Sequence, residues 1–166
     1  MNEKQNSFRR WPYAAILAGR AANLDRCDRE YLMDSKQMGS RLCSAVLRGD
    51  NRQLEQLLDF GAPINHQDEP DGWTPLIYSI YYDNPAGRHI LLARGADPLI
   101  TDFSGKTALM FAAINGDVHL TADLLTRGLS PDAVDNNGKT ALDFAEEYHN
   151  RECLTLLNML TAANRK

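Results

Sequence analysis

The sequence has few cysteines, and no two of them form a CxxC pair. There are three, an odd number: Cys27, Cys43 and Cys153. No histidine stands at metal-ligand spacing from any of them. A disulfide framework or a zinc site is therefore not expected, nor is any other metal or cofactor. Free cysteines also favour a reducing, cytoplasmic location.

The sequence also lacks a surplus of basic residues and any long hydrophobic run. Its formal net charge is −4, which argues against a nucleic-acid partner, because phosphate binding needs clustered Lys and Arg. The apolar stretch at residues 13–18, which follows Arg9 and Arg10, is too short for a signal peptide or a membrane span. With 43% hydrophobic and 24% charged residues, the composition predicts a soluble folded protein. No membrane contact is expected, because a cationic membrane-surface helix is also missing.

What the sequence does contain is an internal repeat. Three glycines recur at intervals of 33 residues: Gly72, Gly105 and Gly138. The segments around them read DGWTPLIYSI, SGKTALMFAA and NGKTALDFAE. Upstream, residues 42–65 repeat the second half of the unit. The interval from Gly61 to Gly95 is 34, which indicates one inserted residue near Glu69 and Pro70.

At these residues the sequence resembles the ankyrin-repeat family, whose unit reads roughly D-x-x-G-x-T-P-L-H-x-A-A-x-x-G, then an apolar helix, L-L and G-A-D. The resemblance implies an all-α solenoid of helix-turn-helix units joined by short β-hairpin-like loops. It places four repeats at residues 37–68, 69–101, 102–134 and 135–166, with residues 1–36 as an N-terminal helical cap. The motif's Pro survives only as Pro75, and its His becomes Ile77, Met110 and Asp143, so that histidine's hydrogen bond to a neighbouring repeat is in question.

Recurring residues also mark where the helices begin and end. Helix starts are predicted where a threonine can accept a backbone N–H: Thr74, Thr107 and Thr140. Helix ends are predicted where glycine permits a left-handed backbone: Gly61, Gly95 and Gly128. The stretches Asp102 to Gly105 and Asp135 to Gly138 are expected to form the tight turns of protruding hairpins. Small residues on the inner helices, such as Ala112 and Ala113, are expected to let adjacent repeats approach closely.

No set of residues predicts catalysis. The four histidines are scattered over different repeats: His66, His89, His119 and His149. His119 is close to Asp117, but both are expected at the exposed start of an outer helix as a solvated pair. There is no P-loop, GxGxxG or HExxH motif. We expect no enzyme; an enzyme fragment is the alternative from a different class, and four repeats with a cap would leave no room for a catalytic domain.

The resemblance implies a binding surface made of the hairpin tips and the exposed positions of the inner helices, which together make a concave face. Carried over position by position, it includes many large rings in repeats two and three, although the chain is only 8% aromatic. Tyr and Trp anchor many interfaces, because they bury much area at little entropic cost. The candidate residues are Arg48, Asp71, Trp73, Tyr78, Tyr81, Tyr82, Phe103, Lys106, Phe111, Ile114, Asn115, Lys139, Glu147 and Tyr148.

Some of these side chains have a purely structural alternative. Phe111 and Tyr78 can instead pack between neighbouring inner helices, and Trp73 can cover the inserted loop. Tyr81 and Tyr82 cannot both point inward from one helix, so the predicted site is centred on them. An exposed apolar patch of this kind on a monomer usually marks a binding site.

The expected function is that of a small intracellular adaptor or inhibitor, monomeric in isolation, that binds another protein. The acidic tip formed by Asp68, Glu69 and Asp71 favours a partner with a basic rim, although a solubilising loop explains it equally well. A bacterial toxin-neutralising immunity protein or a host-directed effector is the alternative within the same binding class.

Overall fold

The computed structural model describes residues 35–164 of the chain, with side chains as far as residue 160. This part of the chain forms eight helices: α1 (Ser35–Leu47), α2 (Asn51–Asp59), α3 (Pro75–Tyr81), α4 (Pro85–Ala93), α5 (Ala108–Asn115), α6 (Val118–Thr126), α7 (Ala141–Glu147) and α8 (Arg151–Asn164). None of these eight is both long and apolar enough to cross a membrane. The predicted cap lies outside the described residues except for Ser35 and Lys36, and Cys27 lies outside them as well.

The helices are arranged as four hairpins that stack side by side. Each odd-numbered helix packs against the even-numbered helix that follows it. The inner helices form a continuous row, in which α1 contacts α3, α3 contacts α5, and α5 contacts α7. One hydrophobic core runs through all four hairpins. The predicted all-α solenoid is therefore confirmed.

Small side chains between the inner helices make this close stacking possible. Ser79, Ala112, Ala113 and Ala145 are fully buried, and the hydroxyl of Ser79 donates to its own helix at the Leu76 carbonyl over 2.7 Å. Protein interiors are close-packed, so a larger side chain at these positions would push neighbouring hairpins apart. The expectation that small residues permit the close approach is thus confirmed.

The predicted threonine caps are present at the start of three inner helices. Thr74, Thr107 and Thr140 each accept a hydrogen bond from the backbone N–H three residues later, over 3.2–3.3 Å. The residues that replace the motif's histidine have local roles. Asp143 accepts from both the backbone N–H and the hydroxyl of Thr140 at 2.7 Å, which completes a capping box, whereas Ile77 is buried in the core.

The hairpin tips of repeats three and four are built around a buried carboxylate. Asp102 accepts from the backbone N–H groups of Ser104 and Lys106, and Asp135 accepts in the same way from Asn137 and Lys139. Adjacent tips are joined as well, because the Asn136 N–H donates to the Ser104 carbonyl over 2.9 Å. These bonds fix each tip against the next one.

The hairpin tip of repeat two, residues 68–73, is called the second tip here. It differs from the other two because it contains the inserted residue that the sequence predicts. Asp68 pairs with Trp73 through an isolated antiparallel bridge, and the Glu69–Pro70 peptide bond between them is cis. In the other two tips the equivalent aspartate binds its own turn. The carboxylate of Asp68 instead accepts from the hydroxyl groups of Ser40 and Tyr78. The insertion therefore redirects this aspartate towards the inner helices.

The lowered pKa of Asp135 allows a prediction of how the stability of the stack depends on pH. Burial opposes its ionisation, but the N–H groups of Lys139 and Asn137 outweigh it and hold the pKa of Asp135 below its usual value. A carboxyl with a lowered folded-state pKa stabilises the fold above its unfolded pKa, and this stability is lost as the pH falls through the folded pKa. The free energy of unfolding of the Asp135→Asn variant should therefore be below that of the wild type near neutral pH, with a gap that closes on acidification. Denaturant titrations from about pH 7 to pH 3 measure this difference in the free energy of unfolding.

The control for this prediction is Asp132→Asn, at an exposed position, which should be as stable as the wild type at every pH. A stability difference for Asp135→Asn that is independent of pH would contradict the lowered pKa assigned to Asp135.

Candidate functional site

Five aromatic side chains of repeats two and three form one cluster around Trp73. The centroid of the Trp73 ring lies 4.8 Å from that of Tyr81, 5.3 Å from Tyr78, 5.4 Å from Phe111 and 6.5 Å from Tyr82. Most of these pairs are tilted or edge-to-face, which is the favoured geometry for aromatic rings. Trp73 therefore links the second tip to the inner helices α3 and α5.

Beside this cluster, the tips and the inner helices enclose an open groove with a volume of about 500 Å³. Its walls come from repeats two, three and four. Eight of the predicted site residues line it: Asp71, Trp73, Tyr81, Phe103, Lys106, Phe111, Ile114 and Tyr148. The stack thus brings together side chains that are up to 77 positions apart in the sequence.

The most accessible rings of the site are well placed for contact with a partner. The exposed fraction is 44% for Tyr81, 49% for Tyr82, 52% for Tyr148 and 56% for Phe103. Phe111 differs, since only 2% of it is exposed. Phe111 is therefore not an accessible contact residue. The alternative given for it, a packed position within the stack, is the one observed, with its ring against those of Trp73 and Tyr81.

Three other predicted residues are engaged within the chain. The amide of Asn115 donates to the carbonyls of Ile80 and Tyr81 at the end of α3, over 2.6 and 3.4 Å. Lys139 and Glu147 form an ion pair of 2.6 Å with each other. The structure therefore places Asn115 as a link between repeats and leaves the pair as a bridge within repeat four.

Arg48 is not brought into the groove. Its guanidinium donates to Gln53 Oε1 over 2.9 Å, so it faces the outer helix α2. Position by position, Arg48 matches Tyr82, and each of these residues directly follows the end of its inner helix, at Leu47 in α1 and at Tyr81 in α3. The prediction that Arg48 contributes to the concave site finds no support in this geometry.

The acidic tip is only partly available to a partner. Glu69 pairs with Lys36 over 3.1 Å, and Asp68 is half-buried against Ser40 and Tyr78. Burial, together with the charge of Asp68, raises the pKa of Tyr78 to about 12, so its hydroxyl stays protonated and donates to that carboxylate. Glu69 and Asp71 are both exposed, and of the three acidic residues it is Asp71 that lines the groove.

The fold also assembles a serine, a histidine and an aspartate that the sequence analysis did not connect. Ser40 Oγ lies 3.0 Å from Asp68 Oδ1 and 3.5 Å from His66 Nε2, and that same nitrogen lies 3.8 Å from Asp68. A nucleophilic triad needs the histidine between the serine and the carboxylate. Here the serine hydroxyl donates directly to the carboxylate, so the cluster joins α1 to the second tip and is not arranged for nucleophilic attack.

The predicted surface pair of Asp117 and His119 is not formed. Asp117 caps α6 by accepting from the Leu120 N–H at 2.9 Å, and its other oxygen accepts from Arg88 at 3.1 Å. Within residues 35–160, no group of three or more His, Cys, Asp or Glu side chains could hold a metal ion.

Comparison with known proteins identifies the repeats by family. Two family models match the chain: the one described as "Ankyrin repeats (3 copies)" matches residues 86–164, and the one described as "Ankyrin repeats (many copies)" matches residues 57–112. Human 2-5A-dependent ribonuclease is similar, with 39% identity over 79 residues, which are 48% of this chain and 11% of the ribonuclease. Inversin of Canis lupus familiaris is 32% identical over 120 residues, which are 72% of this chain and 11% of inversin. The chain thus spans about a tenth of the length of these relatives.

The position of Asn115 predicts a structural role that can be separated from partner binding. Replacing it with alanine removes the bond to the Ile80 carbonyl and should lower the free energy of unfolding by about 1 kcal/mol, the usual worth of such a hydrogen bond. Denaturant unfolding with the exposed α2 residue Gln56→Ala as control measures this difference. Equal stability of the Asn115→Ala variant and the wild type would return Asn115 to the list of candidate contact residues.

Proposed function

Because this chain belongs to the ankyrin-repeat family, a family of protein-interaction modules, we propose that it binds a protein partner in the groove beside Trp73. The single observation that carries the proposal is the set of accessible rings around that groove. Tyr81, Phe103 and Tyr148 come from three different repeats and line one continuous surface. A partner seated there would cover large rings that are now in contact with water.

The energetics of such a surface favour a specific interface. Interfaces take most of their affinity from a few buried aromatic or arginine side chains, and truncating one of them to alanine costs about 2 kcal/mol or more. Trp73 is held on several sides by other rings, so it and its neighbours are already ordered before binding. A preordered surface loses less entropy when a partner binds.

We place the chain in the class of adaptors or inhibitors, acting as a monomer in the cytoplasm. The groove side chains offer apolar contact and hydrogen bonding, which suit the capture of a partner. Cys43 and Cys153 are buried free thiols, which fits a reducing location. Burial, with the charge of Asp68, raises the pKa of Cys43 to about 12, so this thiol stays protonated and unreactive.

The exposed tyrosines give the most direct test of this proposal. The double variant Tyr81→Ala/Tyr82→Ala should lower affinity for the partner by at least about a hundredfold, since two anchor rings are lost. Its free energy of unfolding should fall by about 3 kcal/mol, because roughly half of each ring is buried in the cluster around Trp73, so the affinities are compared at a temperature where unfolding curves show both proteins to be folded. Affinity purification from the native cell, followed by titration of the captured protein, measures the loss.

A matched control is Phe60→Ala, which removes an exposed ring at the end of α2, outside the groove. This variant should retain the partner at wild-type strength. Retention of the same partner at full strength by the tyrosine double variant would contradict the proposed site.

A further inference from the structure

The charged side chains in and near the groove differ in whether they have a counter-ion or a hydrogen-bond partner within the chain. Lys106 donates from Nζ to Ser104 Oγ over 2.8 Å, and that hydroxyl donates to Asp102 Oδ1 over 2.7 Å. The Lys106 ammonium is thus balanced by the buried Asp102 carboxylate through one hydroxyl group. In repeat four, Lys139 is balanced by Glu147.

The Asp71 carboxylate differs from these groups. It is exposed on the wall of the groove, and within residues 35–160 its side chain takes part in no ion pair or hydrogen bond. Its backbone carbonyl accepts from the Phe103 N–H over 2.9 Å, so the position of the residue is fixed by the neighbouring tip. A held carboxylate that lacks a counter-ion attracts a cation supplied by a ligand.

The surroundings of Asp71 narrow the choice of cation. The rings of Trp73 and Tyr81 line the same groove. A guanidinium is planar, stacks on aromatic rings and binds a carboxylate through two parallel hydrogen bonds, whereas an ammonium is a compact and strongly hydrated charge. The combination of a carboxylate with adjacent rings therefore fits arginine better than lysine.

We propose that the groove takes a peptide segment of its partner that presents an arginine to Asp71 beside Trp73 and Tyr81. This inference rests on the proposed function and specifies the partner's chemistry at the same site. It narrows the expectation of a basic rim to one cation opposite Asp71, since Glu69 and Asp68 already have partners within the chain.

The test uses the full chain and a displayed library of random peptides. Peptides selected on the wild type should carry an arginine flanked by apolar residues. In the best synthetic peptide, citrulline in place of that arginine keeps the planar group but removes its charge. The substitution should weaken binding to the wild type about tenfold, the effect expected for a charge-assisted hydrogen bond.

The variant Asp71→Asn tests whether Asp71 is the carboxylate that binds the arginine of the peptide. It should bind the arginine peptide about tenfold more weakly than the wild type and should hardly distinguish arginine from citrulline. The control Glu55→Gln removes the same charge from an exposed position on the outer helix α2, so it should behave as the wild type.

The outcomes separate this inference from the proposed function. Peptides that lose affinity with Tyr81→Ala/Tyr82→Ala but carry no arginine, or bind equally well with citrulline, would overturn the arginine assignment and leave the groove as the binding site. Peptides that bind the tyrosine double variant as tightly as the wild type would overturn the site itself. A library that yields no binding peptide would also count against an arginine-bearing segment as the occupant.

Discussion

The structure depends on the close packing of neighbouring inner helices. A single hairpin cannot bury its own apolar face, so each one is stable only against the next. Fully buried small side chains such as Ala112 and Ala113 allow the backbones of α3, α5 and α7 to approach, while leucines such as Leu109 fill the space between the two layers. The stability of the stack and the relative positions of side chains from different repeats both depend on this packing between inner helices.

The groove is a direct consequence of that packing. Because the hairpins stack in register, equivalent positions from successive repeats form rows across the concave face. One row carries Leu47, Tyr81, Ile114 and Glu147, so its chemistry changes from apolar through aromatic to acidic along the stack. The binding surface therefore varies through single side-chain differences between repeats that share one backbone structure. A partner that spans several repeats contacts several of these side chains at once.

The sequence predicts the repeating part of this structure well, because its signals are local. A threonine cap needs only the next three residues, and the glycines that end the outer helices, such as Gly95 with φ of 89°, need only their own backbone conformation. The inserted residue near Glu69 was also visible as a change in spacing. Most of the predicted groove residues follow from the same register.

What the sequence could not give are contacts that depend on how one repeat meets another. Phe111 is buried in the stack, where its ring lies 5.4 Å from that of Trp73 in the preceding tip and 6.2 Å from that of Tyr81 in α3. Asn115 looked like a contact residue, yet its amide reaches the end of α3. Asp68 meets Ser40 only because the insertion changes the second tip. None of these contacts leaves a signal within a single repeat.

The central claim is that neighbouring hairpins stack tip against tip and so form the groove, and one contact tests it directly. The ring of Phe103 lies against Gly72 so closely that a side chain at Gly72 would overlap it. Proton NMR of the full chain should therefore show strong nuclear Overhauser effects between the Phe103 ring protons and the α-protons of Gly72, which the ring current should also shift. Absence of these effects in the folded chain, with both resonances assigned, would contradict the stacked arrangement and the groove built on it.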